Sequence, residues 1–162
     1  MMSLNLFFYE TPIGRLGIGA SENAVTHLYF DESETIGWEW DLVENNILKQ
    51  AGRQLLEYFD GRLTEFTIPL DPAGTPFMCR VWQALQEIPY GQTESYKGVA
   101  DRIGKPRAAR AVGLANNRNP IPIFIPCHRV IGSNNRLVGY RGGVDTKLNL
   151  LEHEKNNILQ NN

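Results

Sequence analysis

Apolar runs alternate with turn-formers over the first part of the chain. LNLFFYE, RLGIGA and AVTHLYF are rich in aromatic and β-branched positions, and TPIG and SEN separate them. This predicts three strands in an antiparallel meander. An acidic stretch follows from Asp31 to Glu44. The period then changes. Ile47, Ala51, Leu55 and Phe59 recur every four residues with Leu56 beside them, and Gly61 closes the run. That spacing predicts an amphipathic helix. FTIPL, Phe66 to Leu70, reads as a further strand, and DPAGTP, Asp71 to Pro76, reads as a linker.

Beyond the linker the pattern is helical. Thr75 is a good N-cap with Pro76 at the first helical position. Phe77, Met78, Val81, Trp82, Leu85 and Ile88 form an apolar face, ended by Pro89-Tyr90-Gly91. A second helix is predicted from Ser95 to Ile103, with Tyr96, Val99, Ala100 and Ile103 on one face and Gly104 as its stop. A third is predicted from Pro106 to Asn117, so that Gly104-Lys105 joins two short helices as in a helix-turn-helix. The last helix is expected to begin with Asp145 as N-cap and to run through KLNLLEHE. The expected fold class is α/β (α+β). Residues 1–72 form a small sheet domain with one helix, and residues 73–162 form a helical domain.

With 42% hydrophobic residues the chain can bury a core. No apolar run reaches the roughly 20 residues of a membrane span. MMSLNLFFYETPIG lacks the parts of a signal peptide. Only two cysteines are present, which favours a reducing, cytoplasmic setting over a disulfide scaffold. The net charge of −2 hides a polarity: residues 1–90 carry 5 Lys+Arg against 13 Asp+Glu, and residues 91–162 carry 11 against 5. The basic half can approach a polyanion, although solvated surfaces can also divide this way by chance.

PRAARAVGLANN concentrates small residues around Arg107 and Arg110, which are three apart and are expected to share a helix face. A slim helix brings its backbone close to another surface, and the minor groove of DNA is only about 6 Å wide. Arginines on such a helix can contact phosphates or wedge into the base stack. The same composition also suits a helix packed tightly on a neighbour.

IPCHRVIG raises the chemical question. Cys127 sits beside His128, and a thiol can be activated by an adjacent base that a third group orients. Glu154 falls on the side of the last helix that faces the core and needs a partner there. Neighbouring side chains in an extended segment point apart, so Cys127 and His128 would need a bend or a bridging water. Taken alone, the pair fits a nucleophile or a buried structural cysteine.

IFIPCHRVIG resembles the active-site signature of the O6-alkylguanine-DNA alkyltransferases. GTPFMCRVWQALQEIPYGQTESYKGVA, KPRAARAVGLANNRNPIPI and GYRGGVDTKLNLLEHE are similar to the same family in the same order, covering residues 74–156. YETPIGRLGIGA is similar to its N-terminal part. The resemblance implies a ribonuclease H-like N-terminal domain and a winged-helix-like helix-turn-helix domain. It implies direct-reversal DNA repair, with irreversible transfer of an alkyl group from guanine O6, or thymine O4, to Cys127.

The resemblance also assigns residues. His128 would deprotonate Cys127 through a water, and Glu154 would hold His128. Asn119 would brace this network and its turn. Tyr96 would rotate the target phosphate and support protonation of the leaving guanine. Arg110 would fill the space of the extruded nucleotide, with Arg107 and Ala109 also at the DNA. Pro122, Val130, Tyr140 and Arg141 would line the base pocket.

The partner implied is double-stranded DNA containing O6-alkylguanine, bound by a monomer through the minor groove with nucleotide flipping. No cofactor is expected, because the damaged DNA is the alkyl donor. No metal is expected, because the N-terminal half has no Cys/His cluster. Arg141 stands where some relatives have serine or alanine, which bears on adduct size. Cys79 is expected to be a core or boundary residue, and His27 and His153 structural or surface residues. Two other readings use the same residues: a module that only binds lesions, against which the cysteine argues, and a Cys-His hydrolase, which would turn over.

Overall fold

β1 (Asn5–Thr11), β2 (Gly14–Ala20) and β3 (Val25–Tyr29) pair antiparallel in that order. The structure is a computed structural model and describes residues 4–161. The start of the stretch read for a signal peptide and the outer ends of both expected domains (1 and 162) lie outside the described residues. β2 is buried from Leu16 to Ala20. Its glycines admit aromatic rings onto the sheet: a Cβ at Gly17 would come within 2.9 Å of Phe8, and one at Gly19 within 2.7 Å of Trp40.

α1 (Asn46–Phe59) is capped by Asn45, whose Oδ1 accepts from Leu48 N at 2.9 Å. Its buried stripe is Leu48, Ala51, Leu55 and Tyr58. The strict four-residue spacing from Ile47 to Phe59 drifts off this face, because the helix turns every 3.6 residues. Ile47 and Phe59 are half-buried, and Leu56 is exposed.

Phe66 to Leu70 does not form the expected strand. Only a single parallel bridge joins Leu70 to Val25. The amides of Thr67 and Ile68 donate instead to Oε1 of Gln54 at 3.0 and 3.2 Å, and Pro69 has no N–H to offer a ladder.

The chain divides into two compact units, Met1–Ala73 and Gly74–Asn162. The second begins with α2 (Pro76–Leu85), where Thr75 Oγ1 accepts from Met78 N at 3.2 Å. Val81, Trp82 and Leu85 are buried, as is Ile88 just past the helix, while Phe77 and Met78 are half-buried. Cys79 departs from the core or boundary expectation: it is exposed, on the outer side of α2. β4 (Glu94–Ser95) leads directly into α3 (Tyr96–Arg102), capped by Ser95. Gly104, at φ +74°, makes the left-handed stop that a side chain would resist.

α4 (Ala109–Asn117) starts later than Pro106. Lys105 offers no capping oxygen, and Ala108 N closes a turn onto Lys105 O at 2.9 Å. Arg107 therefore lies in the turn before the helix and not on a helical face with Arg110. Trp82 Nε1 donates to Ala115 O at 2.9 Å and locks α2 against α4.

β5 (Val130–Ile131) pairs parallel with β4, setting Glu94 beside Val130 and Ser95 beside Ile131. α5 (Val144–Gln160) starts at Gly143, φ +95°, so Asp145 is not the N-cap. It lies in the first turn, where its charge complements the free amides. Among the described residues no helix is long and apolar enough to cross a membrane.

Candidate active site

The backbone is strained just before the cysteine. Ile123, a buried β-branched residue, has φ +74°, a conformation such residues rarely adopt. Ile125 N then bonds Ile121 O at 2.9 Å, and Cys127–Arg129 forms one 3-10 turn. The turn supplies the bend that an extended segment lacks. It buries Cys127, His128 and Arg129 together.

His128 Nε2 lies 2.6 Å from Glu154 Oε2, and both side chains are fully buried. With a carboxylate there, Nε2 carries the proton and donates it. Nδ1 is buried and takes no hydrogen bond among the described residues. Burial pushes the His128 imidazole below its ordinary value against the pull of Glu154. Burial opposes ionisation of Glu154, but the charge and hydrogen bonds of His128 and Arg129 override it and hold the carboxyl far below the usual range.

Burial pushes the Cys127 thiol up. A hydrogen bond from Asn119 and the charges of Arg141 and Lys147 work the other way and favour the thiolate. Asn119 is itself fixed: Nδ2 donates to Ile125 O at 2.8 Å, and Oδ1 accepts from Ile121 N at 2.9 Å. Arg141 donates from Nη1 to Asn119 O at 3.2 Å, so its guanidinium turns toward this turn.

An open groove of about 410 Å³ lies beside the site. Tyr96, Ala109 and Arg110 line it, together with Gly113, Asn117, Gly132, Val138 and Gly139. Tyr96 Oη donates to Val138 O at 3.4 Å across the groove. Burial, and then the nearby Cys127, holds its phenol above the ordinary value. Arg107 lies outside this groove, in a shallow hollow with Lys105, Pro106 and Ala108. Val130, Pro122, Tyr140 and Arg141 do not line the groove either. Val130 pairs with β4, and Pro122 is bridged to Ile125. Tyr140 lies close enough to Cys127 for a thiolate to raise its phenol further, beyond the larger effect of burial.

The family model described as 6-O-methylguanine DNA methyltransferase, DNA binding domain, matches residues 76–156, and the one described as its ribonuclease-like domain matches residues 7–72. The chain belongs to the 6-O-methylguanine DNA methyltransferase family. A methylated-DNA--protein-cysteine methyltransferase of Mycobacterium leprae is 51% identical over 154 residues, covering 93% of this chain and 92% of that protein. The constitutive enzyme of that name from Bacillus subtilis is 45% identical over 153 residues, covering 90% and 92%. A crystal structure of Mycobacterium tuberculosis OGT in complex with DNA matches with a TM-score of 0.86 at 46% identity, covering 94% of each chain.

Three further polar residues of this family member are buried at the site and were not singled out from sequence. Arg129 forks Glu154, with Nε to Oε1 at 2.9 Å and Nη2 to Oε2 at 3.1 Å. Lys147 Nζ donates to Val130 O at 2.6 Å and Val138 O at 3.1 Å. Asn116 Nδ2 donates to Cys127 O at 3.3 Å. The helical period held the signal for Lys147, which is three and seven residues from Leu150 and Glu154 on one face of α5.

Proposed function

We propose that this chain repairs O6-alkylguanine in duplex DNA by irreversible, stoichiometric transfer of the alkyl group to Cys127. The observation that carries the reading is the buried hydrogen bond between Glu154 and His128, with His128 in the same 3-10 turn as Cys127. Membership of the family and the DNA-bound relative support DNA as the partner.

A methyl on O6 of a stacked guanine is out of reach, so the nucleotide is flipped out. α4 approaches through the minor groove, its small residues allow close contact, and Arg110 fills the space left in the stack. Arg107 and Ala109 contact the backbone nearby. The extruded base enters the groove lined by Tyr96, Arg110 and Gly113, and Tyr140 and Arg141 stand near Cys127 outside it.

His128 Nδ1 takes the Cys127 proton through a bridging water while Glu154 accepts the hydrogen bond from Nε2. The thiolate attacks the alkyl carbon in line. An S–C bond forms, the C–O6 bond breaks, and its electron pair leaves with guanine, which is protonated with the help of the Tyr96 hydroxyl. The product is a thioether with no carbonyl for water to attack. The protein is consumed, acts as a monomer in the cytoplasm, and needs no diffusible cofactor.

Counting restored guanines tests the reading. With excess O6-methylguanine duplex, product should level off at one per protein chain. Continued turnover would instead mark a hydrolase, and lesion binding with no product would mark a recognition module.

A further inference from the structure

Arg129 has no part in the transfer as proposed, yet it is a buried cation at the centre of the relay, 6% exposed. Besides its fork on Glu154, it donates from Nη1 to Ile88 O at 2.8 Å, and its guanidinium stands 5.6 Å from the centre of the Tyr90 ring. Glu154 Oε1 also accepts from Gly91 N at 3.1 Å. His128 thus shares this carboxylate with Arg129 and the Gly91 amide. A buried carboxylate without a fixed cation draws a proton onto any base beside it, because an unpaired buried charge is costly. A guanidinium that cannot deprotonate removes that demand.

We infer that Arg129 is a positioning residue for the transfer: its fork fixes the charge and orientation of Glu154, so that His128 keeps its Nε2 proton and presents an unprotonated Nδ1. The inference rests on His128 being the base for Cys127. The charged groups acting on His128 are Glu154 and Lys147 from α5 and Arg129 from its own segment. Tyr140 and Arg141 act at one remove through Cys127, and Tyr90 through Glu154 and Arg129. After burial, Glu154 pulls the imidazole up, while Arg129 and Lys147 push it down. Removing the Arg129 charge therefore favours imidazolium, which is no base.

The test measures single-turnover transfer against pH and the His128 imidazole titration by NMR in DNA-free protein. It compares the wild type with Arg129→Gln, which keeps hydrogen-bonding capacity without charge, and with Arg129→Lys. In Arg129→Gln the acidic limb of the rate and the His128 midpoint should both rise, by about one to three pH units. The rate should fall by about tenfold one pH unit below the shifted midpoint and recover in alkali. Arg129→Lys should return both midpoints toward the wild type. A lower rate at every pH with unmoved midpoints would reduce Arg129 to packing and overturn the inference. If Arg129→Gln does not fold, the wild-type spectrum decides. Neutral Nε2–H imidazole at neutral pH supports the inference, and imidazolium overturns it. The NMR result does not depend on alkyl transfer, so failure of Cys127 to accept an alkyl group would remove the proposed function and remain distinguishable.

Discussion

His128 and Glu154, 26 residues apart in sequence, meet through a hydrogen bond of 2.6 Å with no exposure of either side chain. One face of α5 makes the meeting possible. Lys147, Leu150 and Glu154 share it, and all three are buried. A single helix face therefore delivers a core leucine, the carboxylate that meets His128 and the ammonium that holds the carbonyls of Val130 and Val138.

Glu154→Gln should fold but be less stable, and should transfer alkyl groups more slowly. The amide cannot answer the Arg129 charge, and breaking a buried pair from one side costs about 3 to 5 kcal/mol. Urea unfolding and single-turnover rates check this. Unchanged rates would remove Glu154 from the relay.

Acid should destabilise the protein in two stages. Glu154 and His128 are both shifted down in the folded chain, so the unfolded chain binds more protons at each. Stability should fall as the pH drops below the unfolded histidine value of about 6.5, and fall further below the unfolded glutamate value of about 4.3. Thermal unfolding as a function of pH measures it. Stability that stays flat or rises from neutral to pH ~5 would contradict the assigned shifts.

Arg110→Ala should slow repair of duplex DNA by roughly tenfold or more, because extruding a base costs a few kcal/mol that the wedge helps to offset. Alkylation of Cys127 by free O6-benzylguanine should persist, since that substrate needs no extrusion. Equal losses on both substrates would sink the wedge assignment.

Lys147→Met should cost about 1 to 3 kcal/mol, the penalty for leaving buried carbonyls without a donor. It should also slow transfer, because Lys147 favours the Cys127 thiolate. Denaturant midpoints and transfer rates would show this. A fully stable, fully active variant would contradict the assigned clamp.

The meander, α1 and the capped start of α2 were legible because local spacing and turn chemistry agree with the tertiary packing. The FTIPL strand was misread because the Gln54 side chain captures the amides that a ladder would need. The start of α4 was misread because proline at a first helical position is a signal only when a capping oxygen precedes it, and Lys105 has none. Cys127 and His128 drew notice as a pair and Glu154 by its helix face, and the resemblance to a family decided between nucleophile and structural cysteine. Arg129 drew none, since an arginine reads as solvated until the structure shows a buried carboxylate between its nitrogens.

The most direct test of the account is intact-mass spectrometry after incubation with an O6-methylguanine duplex. Cys127→Ser, Cys79→Ser and an unmodified duplex serve as controls. The wild type and Cys79→Ser should each gain one methylene, roughly 14 Da, mapped to residue 127 and saturating at one per chain, as covalent capture by an activated thiol requires. Cys127→Ser should gain nothing. No gain in the wild type despite selective binding of the lesion, or a gain mapped to Cys79, would contradict the account.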